Sequence, residues 1–307
     1  MLFSTDCAFR IGSTHKICQD YGISGIICDT AYAIIADGCS GSDLSEFGAK
    51  LLCKAIENEI VETEFEIFVS RNKMSWDINI DLYKVFPTLF EIGNKLKMPE
   101  CWLDVTLAYA ISKAGTAQIY LYGDGVIVRE WPDGTSTVVS IEYPSGYPFF
   151  LNYITTSNRK RFDKWKSIPN QKKVVLTYHL DENGNLKSTE EEYYDLSSSS
   201  NEKDLSFNMS ILDFENSKLA LFTDGIKSFF KIDKTDTSKV NIPVSMIEVI
   251  PSLMKIKSFK GQFANRRLNK FLQKENILYF DDVTMAVIKM GQLDESSCSG
   301  KRNSKSR

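Results

Sequence analysis

Apolar residues along this chain occur mainly in short runs that are either continuous or alternate with polar residues. Runs of this kind, bounded by turn-forming residues, are typical of β-strands. They predict strands at residues 25–27, 32–36, 105–112, 117–122, 126–131, 137–143, 173–180, 218–222 and 283–289. Strands therefore dominate the predicted secondary structure.

Helical spacing of apolar residues appears between these strands. The first helix is predicted to begin at Asp43, which forms a capping box with Glu46. The other predicted helices cover residues 80–97, 243–250 with Pro243 in the first turn, and 259–273. Because the helices come in blocks between runs of strands, the pattern favours antiparallel sheets covered by helices over an alternating parallel fold.

Two segments have little to bury. A polar stretch over residues 181–204 is predicted to be a poorly ordered surface insertion. The last residues, 294–307, are rich in Ser, Lys and Arg and are predicted to form a solvated tail, with docking on a partner as the lesser alternative. The sequence therefore predicts one domain over residues 1–292 and a disordered tail over 293–307.

Composition excludes several functional classes. The chain has 307 residues, of which 43% are hydrophobic, enough for a substantial core. A net charge of -3 argues against a nucleic-acid-binding surface. Seven cysteines without a Cys-x-x-Cys pair, together with two histidines, exclude zinc-finger and disulfide-scaffold interpretations. The sequence has no signal-peptide pattern and no apolar run long enough to span a bilayer, which predicts a soluble, cytoplasmic protein without a membrane partner.

A strand-like apolar run ends in Asp-Gly at two distant places in the sequence. Residues 33–36 lead into Asp37 and Gly38, and residues 219–223 lead into Asp224. A buried strand that stops on a carboxylate places that charge at the sheet edge, and the glycine lets the backbone turn and approach a ligand closely. The pattern therefore indicates acids presented together at the edge of a sheet.

A third segment inverts this order, because Asp281 and Asp282 precede a predicted strand instead of following one. Gathered at one sheet edge, Asp37, Asp224 and Asp281 would form an all-oxygen site suited to hard cations such as Mg²⁺ or Mn²⁺. Asp282 remains open as an alternative ligand to its neighbour. Each of these acids would otherwise be an ordinary turn residue.

A series of short motifs carries a family resemblance. In chain order they are Gly12-Ser13-Thr14-His15, Gln19-Asp20, Ala36-Asp37-Gly38, Tyr122-Gly123-Asp124-Gly125, Thr223-Asp224-Gly225 and Asp281-Asp282-Val283-Thr284. In this order they resemble the acidic motifs of the metal-dependent type-2C serine/threonine protein phosphatases, the PPM family, from about residue 4 to residue 290. The opening motifs are similar to a bacterial branch of that family. A single Asp-Gly would be a weak signal, since most such pairs are turns.

The resemblance implies an α+β fold: a four-layer α-β-β-α sandwich with two central antiparallel sheets flanked by helices. It also implies hydrolysis of phosphoserine and phosphothreonine in proteins by a hydroxide that bridges two Mn²⁺ or Mg²⁺ ions. Asp37, expected to be both a catalytic residue and a ligand, would bridge the ions, and the Gly38 carbonyl would complete one of them. Asp224 and Asp281 would hold the other ion. Asp20 would sit at the rim as a catalytic residue that orients the attacking water.

Two positions are open within the resemblance. Asp124 is a candidate ligand for a third, weakly bound ion, but its Gly-Asp-Gly context also suits a tight turn, and the family's partner acid for that ion is here Ser228. His15 stands where eukaryotic members have an arginine that grips phosphate. It is predicted to be catalytic and to bind phosphate, although it carries charge only at lower pH.

Two further departures motivate alternative hypotheses. Gln19 replaces a charged glutamate, and Cys39 replaces a histidine suited to protonate the leaving group. Because a cysteine is a poor general acid, the first alternative is a pseudophosphatase scaffold that binds phosphoproteins without turnover. The second alternative is a phosphohydrolase that acts on small molecules at the same site.

A flap and variable insertion are predicted at about residues 144–215. Residues 147–150, Tyr-Pro-Phe-Phe, and the basic run 159–161 lie where the family carries a mobile flap beside the metals. Such a flap would steer a phosphorylated loop of a substrate protein. Alternatively, the aromatic residues belong to a satellite core and the basic run is a solvated face. The predicted partners are phosphorylated proteins, such as a serine/threonine kinase or its targets.

Overall fold

The structure is a computed structural model that describes residues 2–70, 80–154, 159–197, 205–232, 241–256, 259, 261–275 and 277–291. Its strands in chain order are β1 (Leu2–Arg10), β2 (Tyr21–Ile27), β3 (Thr30–Gly38), β4 (Val105–Lys113), β5 (Thr116–Tyr122), β6 (Gly125–Glu130), β7 (Ser136–Glu142), β8 (Lys172–Leu180), β9 (Leu186–Asp195), β10 (Ser206–Ile211), β11 (Lys218–Phe222), β12 (Phe229–Ile232), β13 (Asn241–Pro243), β14 (Ile277–Tyr279) and β15 (Val283–Gly291).

The helices precede or follow blocks of strands. They are α1 (Ser45–Ser70), α2 (Leu82–Leu96), α3 (Arg159–Lys166), α4 (Met246–Met254) and α5 (Phe263–Glu275). Short 3₁₀ helices cover Glu100–Leu103, Leu151–Ile154 and Asp224–Lys227. None of the described helices is long and apolar enough to cross a bilayer.

Within the described residues, the strands form two large antiparallel sheets and a small one. The first large sheet has the order β1-β15-β11-β6-β7-β8-β9, and the second has the order β10-β5-β4-β3-β2. The small sheet has the order β13-β12-β14. Helices α1 and α2 lie in the connection between β3 and β4, and α4 and α5 lie between β12 and β15.

Hydrophobic clusters show that these elements stack in four layers. One cluster joins α1 and α2 to the sheet that contains β3, with Ile56 among its buried residues. A second cluster fills the space between the two large sheets and includes Ile288 of β15. A third joins the sheet of β15 to α4 and α5, where Leu268 is buried. The predicted four-layer α-β-β-α sandwich is therefore confirmed.

The central strands are buried on both faces. In β3, Ile35 faces the first sheet while Ile34 faces α1. In β15, Ile288 faces the second sheet while Val287 faces the layer of α4 and α5. Successive side chains of a strand point to opposite faces, so a strand between two apolar layers needs apolar residues at every position. This requirement explains why these strands read as continuous apolar runs in the sequence.

Several predicted element bounds were wrong. Helix α1 begins at Ser45 after Leu44, whose φ is 63°, so Asp43 does not cap it. Pro243 ends strand β13, and α4 begins at Met246 with Ser245 as its cap. A proline lacks the N–H that a strand interior needs but is tolerated at a strand end, which makes Pro243 compatible with either element.

The polar stretch 181–204 also differs from its prediction. It contains β9, a regular strand over Leu186–Asp195, where a poorly ordered insertion was expected. The cause is its partner β8, which pairs with it along its length from Asp195 to Leu186. Residues 198–204 and the predicted tail 293–307 lie outside the described residues.

Candidate active site

Aspartates lie at one end of the described sandwich, each where a strand begins or ends. Asp20 directly precedes β2 and Asp124 directly precedes β6, while Asp37 is the next to last residue of β3. Asp224 opens the short helix after β11, and Asp281 lies just before β15. Because neighbouring strands are antiparallel, the end of one strand and the start of the next meet at the same edge.

Asp20 is buried below this edge, although a position at the rim was predicted. It is 3% exposed, and its Oδ2 accepts a hydrogen bond of 2.7 Å from Thr223 Oγ1. Its Oδ1 is buried and has no hydrogen-bond partner among the described residues. Burial raises the pKa of Asp20 to about 7 because an ionised carboxylate loses its hydration there.

The charge of Asp224 acts on each of the other four aspartates. Its negative charge contributes to the raised pKa of Asp20, Asp37, Asp124 and Asp281, in each case after the larger effect of burial. The pKa of Asp124 rises to about 7, and that of Asp37 lies well above its usual range. Charge–charge effects of this kind require proximity, so the predicted acids are brought together at one place.

Asp281 and Asp282 are neighbours with different surroundings. Asp282 Oδ1 accepts a hydrogen bond of 2.7 Å from the backbone N of Gly12, and Oδ2 accepts one from the backbone N of Gln19. The side chain of Asp282 is 1% exposed, whereas that of Asp281 is 45% exposed. Backbone donors therefore occupy Asp282, and Asp281 is the acid of this pair that is available to a ligand.

Two glycines allow the chain to pass close to this turn. A Cβ at Gly225 would lie 1.7 Å from the carbonyl O of Asp282, and a Cβ at Gly12 would lie 2.3 Å from that of Phe280. Ser228 Oγ donates to the Gly225 carbonyl at 2.7 Å and accepts from the Asp281 N–H at 3.2 Å. These contacts fix the position of the Asp281 backbone relative to the Asp224 turn.

His15 lies between the two neighbouring acids. Its Nδ1 is 3.1 Å from Asp282 Oδ1, and its Nε2 is 3.5 Å from Asp281 Oδ1. The His15 side chain is 18% exposed. His15 thus contacts a predicted metal ligand directly, and the predicted contact with phosphate stays a prediction.

Asp104 holds the loop that follows Gly38. Its Oδ2 accepts a hydrogen bond of 2.9 Å from Ser42 Oγ, and its Oδ1 accepts one of 3.3 Å from Asn152 Nδ2. The Asp104 carbonyl accepts a further bond of 2.9 Å from the backbone N of Cys39. Asp104 is 3% exposed, so it fixes this loop from inside the protein.

Helix α3 reaches the same carboxylate. Arg161 Nη2 lies 2.5 Å from Asp104 Oδ2, with side-chain exposures of 30% and 4%. The alternative of a solvated basic face is therefore wrong for Arg161, whereas Arg159 pairs with the exposed Asp163 at 3.5 Å. Phe149 is buried against the rings of α3, as the satellite-core interpretation predicted.

The donor set fits a hard divalent cation, although it is not arranged as a finished site. Among the described residues, no three or more His, Cys, Asp or Glu side chains form a group that could hold a metal ion. The acids offer only oxygen ligands, which Mg²⁺ and Mn²⁺ prefer. The buried, unpartnered Oδ1 of Asp20 and the mutually raised pKa values are both features that a bound cation would compensate.

Sequence comparison decides the family. The profile described as Protein phosphatase 2C matches residues 12–273, which is most of the chain. The chain belongs to this family. The predicted resemblance is therefore confirmed, and this protein phosphatase 2C is a protein serine/threonine phosphatase. No curated protein matches its sequence.

Solved structures give similar folds at low identity. The serine/threonine phosphatase PstP/Ppp of Mycobacterium tuberculosis is 12% identical with a TM-score of 0.49, and the match covers 95% of this chain and 100% of that one. PppA of Pseudomonas aeruginosa is 10% identical with a TM-score of 0.49, covering 94% and 98%. The serine/threonine phosphatase of S. agalactiae is 12% identical with a TM-score of 0.46, covering 94% and 100%.

In this protein phosphatase 2C, the side-chain amide of Gln19 makes two hydrogen bonds. Its Nε2 donates to Ser45 Oγ at 3.0 Å and to the Cys39 carbonyl at 3.3 Å. The amide therefore ties the segment that carries Asp20 to the start of α1. A glutamate carries no amide N–H donor, so it could not make these two bonds in its ionised form.

Sequence reasoning missed two residues of this site, Thr223 and Asp104. Thr223 precedes Asp224 within a motif that was already noted, and its hydroxyl also accepts a hydrogen bond of 3.0 Å from the backbone N of Thr284. Asp104 stands directly before a buried strand, the same placement as Asp282 before β15. That shared placement is the sequence signal that could have identified Asp104.

Proposed function

We propose that this protein phosphatase 2C hydrolyses phosphoserine and phosphothreonine in proteins with two bound Mn²⁺ or Mg²⁺ ions. The side chains of Asp37, Asp224 and Asp281 and the carbonyl of Gly38 would hold these ions. The observation that carries the proposal is the position of Asp224, whose charge bears on four other aspartates at one end of the sandwich. Action in the cytoplasm is part of this proposal.

When bound, the ions would supply an activated water and would neutralise charge on the phosphoryl group. Asp20 is proposed to orient the attacking water through its unpartnered Oδ1, while Thr223 holds its Oδ2. His15 is proposed to hold a phosphate oxygen through Nε2, which faces Asp281. Direct attack on phosphorus needs no covalent intermediate, so Cys39 has no part as a nucleophile.

Asp124 is proposed as the ligand of a third, weaker ion. Burial and the nearby charge of Asp224 raise the pKa of Asp124, while Lys227 lowers it. The Lys227 Nζ also pairs with Glu142 at 3.1 Å. A cation beside a lysine is less favourable than one among acids alone, which is consistent with weak binding.

The test is turnover of a phosphothreonine peptide and of p-nitrophenyl phosphate with Mn²⁺. Asp224→Asn should lower the rate by more than about a hundredfold, since even residues outside the first ligand shell cost 10–100-fold. EDTA should abolish turnover. The matched control is Asp213→Asn, an exposed aspartate that should leave the rate unchanged. Turnover that persists without metal, or in Asp224→Asn, would contradict the proposal.

The second candidate function is a scaffold that binds phosphoproteins without turnover. The observation that favours it is Gln19, which stands in place of a charged glutamate and whose side-chain amide bonds to Ser45 Oγ and the Cys39 carbonyl. Calorimetry with Mn²⁺ and with a non-hydrolysable phosphothreonine analogue separates the two functions. Tight binding of both without turnover of the parent peptide would favour the scaffold.

A further inference from the structure

Strand β9 is an exposed sheet edge. All of its residues, Leu186–Asp195, are exposed, and within the described residues it is the last strand of its sheet. One side of its backbone pairs with β8, from the pair Lys172–Asp195 to the pair Leu180–Leu186. A long outer edge presents backbone donors and acceptors to which an extended chain can add.

Both faces of β9 carry a carboxylate beside a tyrosine ring. Tyr194 donates its hydroxyl hydrogen bond to Glu192 on one face, and Tyr193 interacts in the same way with Glu191 on the other. The Tyr193 and Tyr194 side chains are 63% and 40% exposed. A carboxylate next to an aromatic ring suits a lysine or arginine side chain, which gains from the charge and from the ring face.

The structure already contains one such contact. Lys173 Nζ of β8 lies 4.8 Å from the centre of the Tyr194 ring. On the same face, His179 Nε2 lies 3.5 Å from Glu190 Oε1. A lysine and a histidine of β8 thus approach this surface, and the outer side of the strand offers the equivalent position to a partner.

We propose that the outer edge of β9 binds an extended, lysine- and arginine-rich segment of a partner protein as an added strand. A second copy of this chain does not fit, because pairing of two β9 strands would bring the carboxylates of residues 190–192 against each other. The partner segment should carry adjacent cations, since Glu191 and Glu192 project from opposite faces.

The added strand would end at the same end of the sheet as the candidate active site, but at a distance from it. The last residue of β9, Asp195, pairs with the first residue of β8, at the end of the sheet where β6 begins after Asp124. The added strand would lie four strand spacings from β6, about 19 Å at about 4.8 Å each. The surface is therefore separate from the acids, and the proposal holds whether or not the chain is catalytically active.

The test is binding of a labelled peptide to the full chain by fluorescence anisotropy. The peptide has Lys-Arg-Lys at its centre, flanked by alternating threonine and valine. Two control peptides carry Glu-Glu-Glu at the centre, or keep the cations but have N-methylated backbone amides that cannot form a ladder. We expect binding of the cationic peptide alone, weakened on the order of tenfold by Glu190→Lys with Glu192→Lys.

The matched protein control is Glu62→Lys with Glu66→Lys, which makes the same charge change on the exposed surface of α1. It should leave peptide binding unchanged, and hydrolysis of p-nitrophenyl phosphate should be equal in both variants. The N-methylated peptide could bind as tightly as the unmethylated cationic peptide, or the α1 variant could lose as much peptide affinity as the β9 variant. Either result would overturn strand addition in favour of general charge attraction. Tighter peptide binding after deletion of residues 293–307, which include Lys301 and Arg302, would overturn it in favour of the chain's own terminal segment.

Discussion

Asp104 and Asp20 are both buried aspartates that stand directly before a strand of the same sheet, yet their surroundings differ. Asp104 Oδ2 pairs with Arg161 and accepts a hydrogen bond from Ser42, and Oδ1 accepts one from Asn152, so both carboxylate oxygens have partners. In Asp20, only Oδ2 has a hydrogen-bond partner by distance among the described residues, the Thr223 hydroxyl. Burial is the main cause that raises the pKa of Asp20, and the charge of Asp224 adds a smaller contribution.

This difference separates a structural carboxylate from one that awaits a ligand. A buried charge whose oxygens are all bonded holds its neighbours in place and offers nothing to a ligand. A buried carboxylate that has an unbonded oxygen and lies close to other carboxylates destabilises the fold. A bound cation would offset this destabilisation. The two aspartates therefore predict opposite responses to mutation and to metal.

The largest effect is expected at the Asp104 ion pair. Arg161→Met should lower the free energy of unfolding by about 2–3 kcal/mol, because breaking a buried pair costs about 3–5 kcal/mol and Arg161 is 30% exposed. Denaturant unfolding measures this change. Mn²⁺ should not restore the loss.

The same helix supplies the control for this change. Arg159→Met removes the exposed pair with Asp163 and should cost at most about 0.5 kcal/mol. If both substitutions cost the same, Asp104 is not the buried anchor that its contacts indicate.

A smaller effect is expected at Thr223. Thr223→Val keeps the shape of the side chain but removes the donor to Asp20 Oδ2 and the acceptor for the Thr284 N–H. Leaving buried polar groups unpaired costs about 1–3 kcal/mol. Thermal unfolding of this variant is to be compared with Thr189→Val on exposed β9, which should change stability by less than about 0.5 kcal/mol. If Thr223→Val left the stability unchanged, Thr223 would not be a structural part of the site.

The smallest expected effect is the change in the melting temperature of the metal-free protein with pH. The folded pKa values of Asp20 and Asp124 are about 7, above the ordinary value of 3.8. Groups with a raised folded pKa stabilise the fold below the unfolded pKa and lose that contribution as the pH rises through the folded value. The melting temperature without metal should therefore fall by about a few degrees between about pH 5 and pH 8.

Mn²⁺ should offset this fall, and more so at the higher pH, because the ionised carboxylates bind it best. Asp20→Asn should flatten the pH dependence without metal. A melting temperature that rises with pH in the absence of metal would contradict the ionisation states inferred for these aspartates.

The sequence allowed the central strands, and the positions of Asp37 and Asp224 where strands end, to be predicted because both have a local signal. Strands buried on two faces are continuous apolar runs, and Asp37 and Asp224 are each followed by glycine. Strand β1 was missed, since polar Thr5 and Asp6 interrupt its apolar positions. Strand β9 was missed because it buries nothing and depends on pairing with β8.

The contacts between distant segments had no local signal. Nothing near Asp104 indicates that Arg161 and Ser42 would meet it, because these residues lie far apart in the chain. The different surroundings of Asp281 and Asp282 likewise depend on which backbone N–H groups approach them, and those belong to Gly12 and Gln19. Only the folded chain brings these groups together.

The two bonds to Asp282 make one wall of the site behave as a single rigid piece. A single carboxylate joins the segment that leads to Asp20 and the turn that carries Asp281, so these two cannot separate without exposing an unpaired charge. The Asp104 contacts instead join side chains of Arg161 and Ser42 to a carboxylate. We therefore expect backbone hydrogen exchange to be faster at α3, which a side-chain contact attaches, than at the turn of Asp281, which backbone bonds attach.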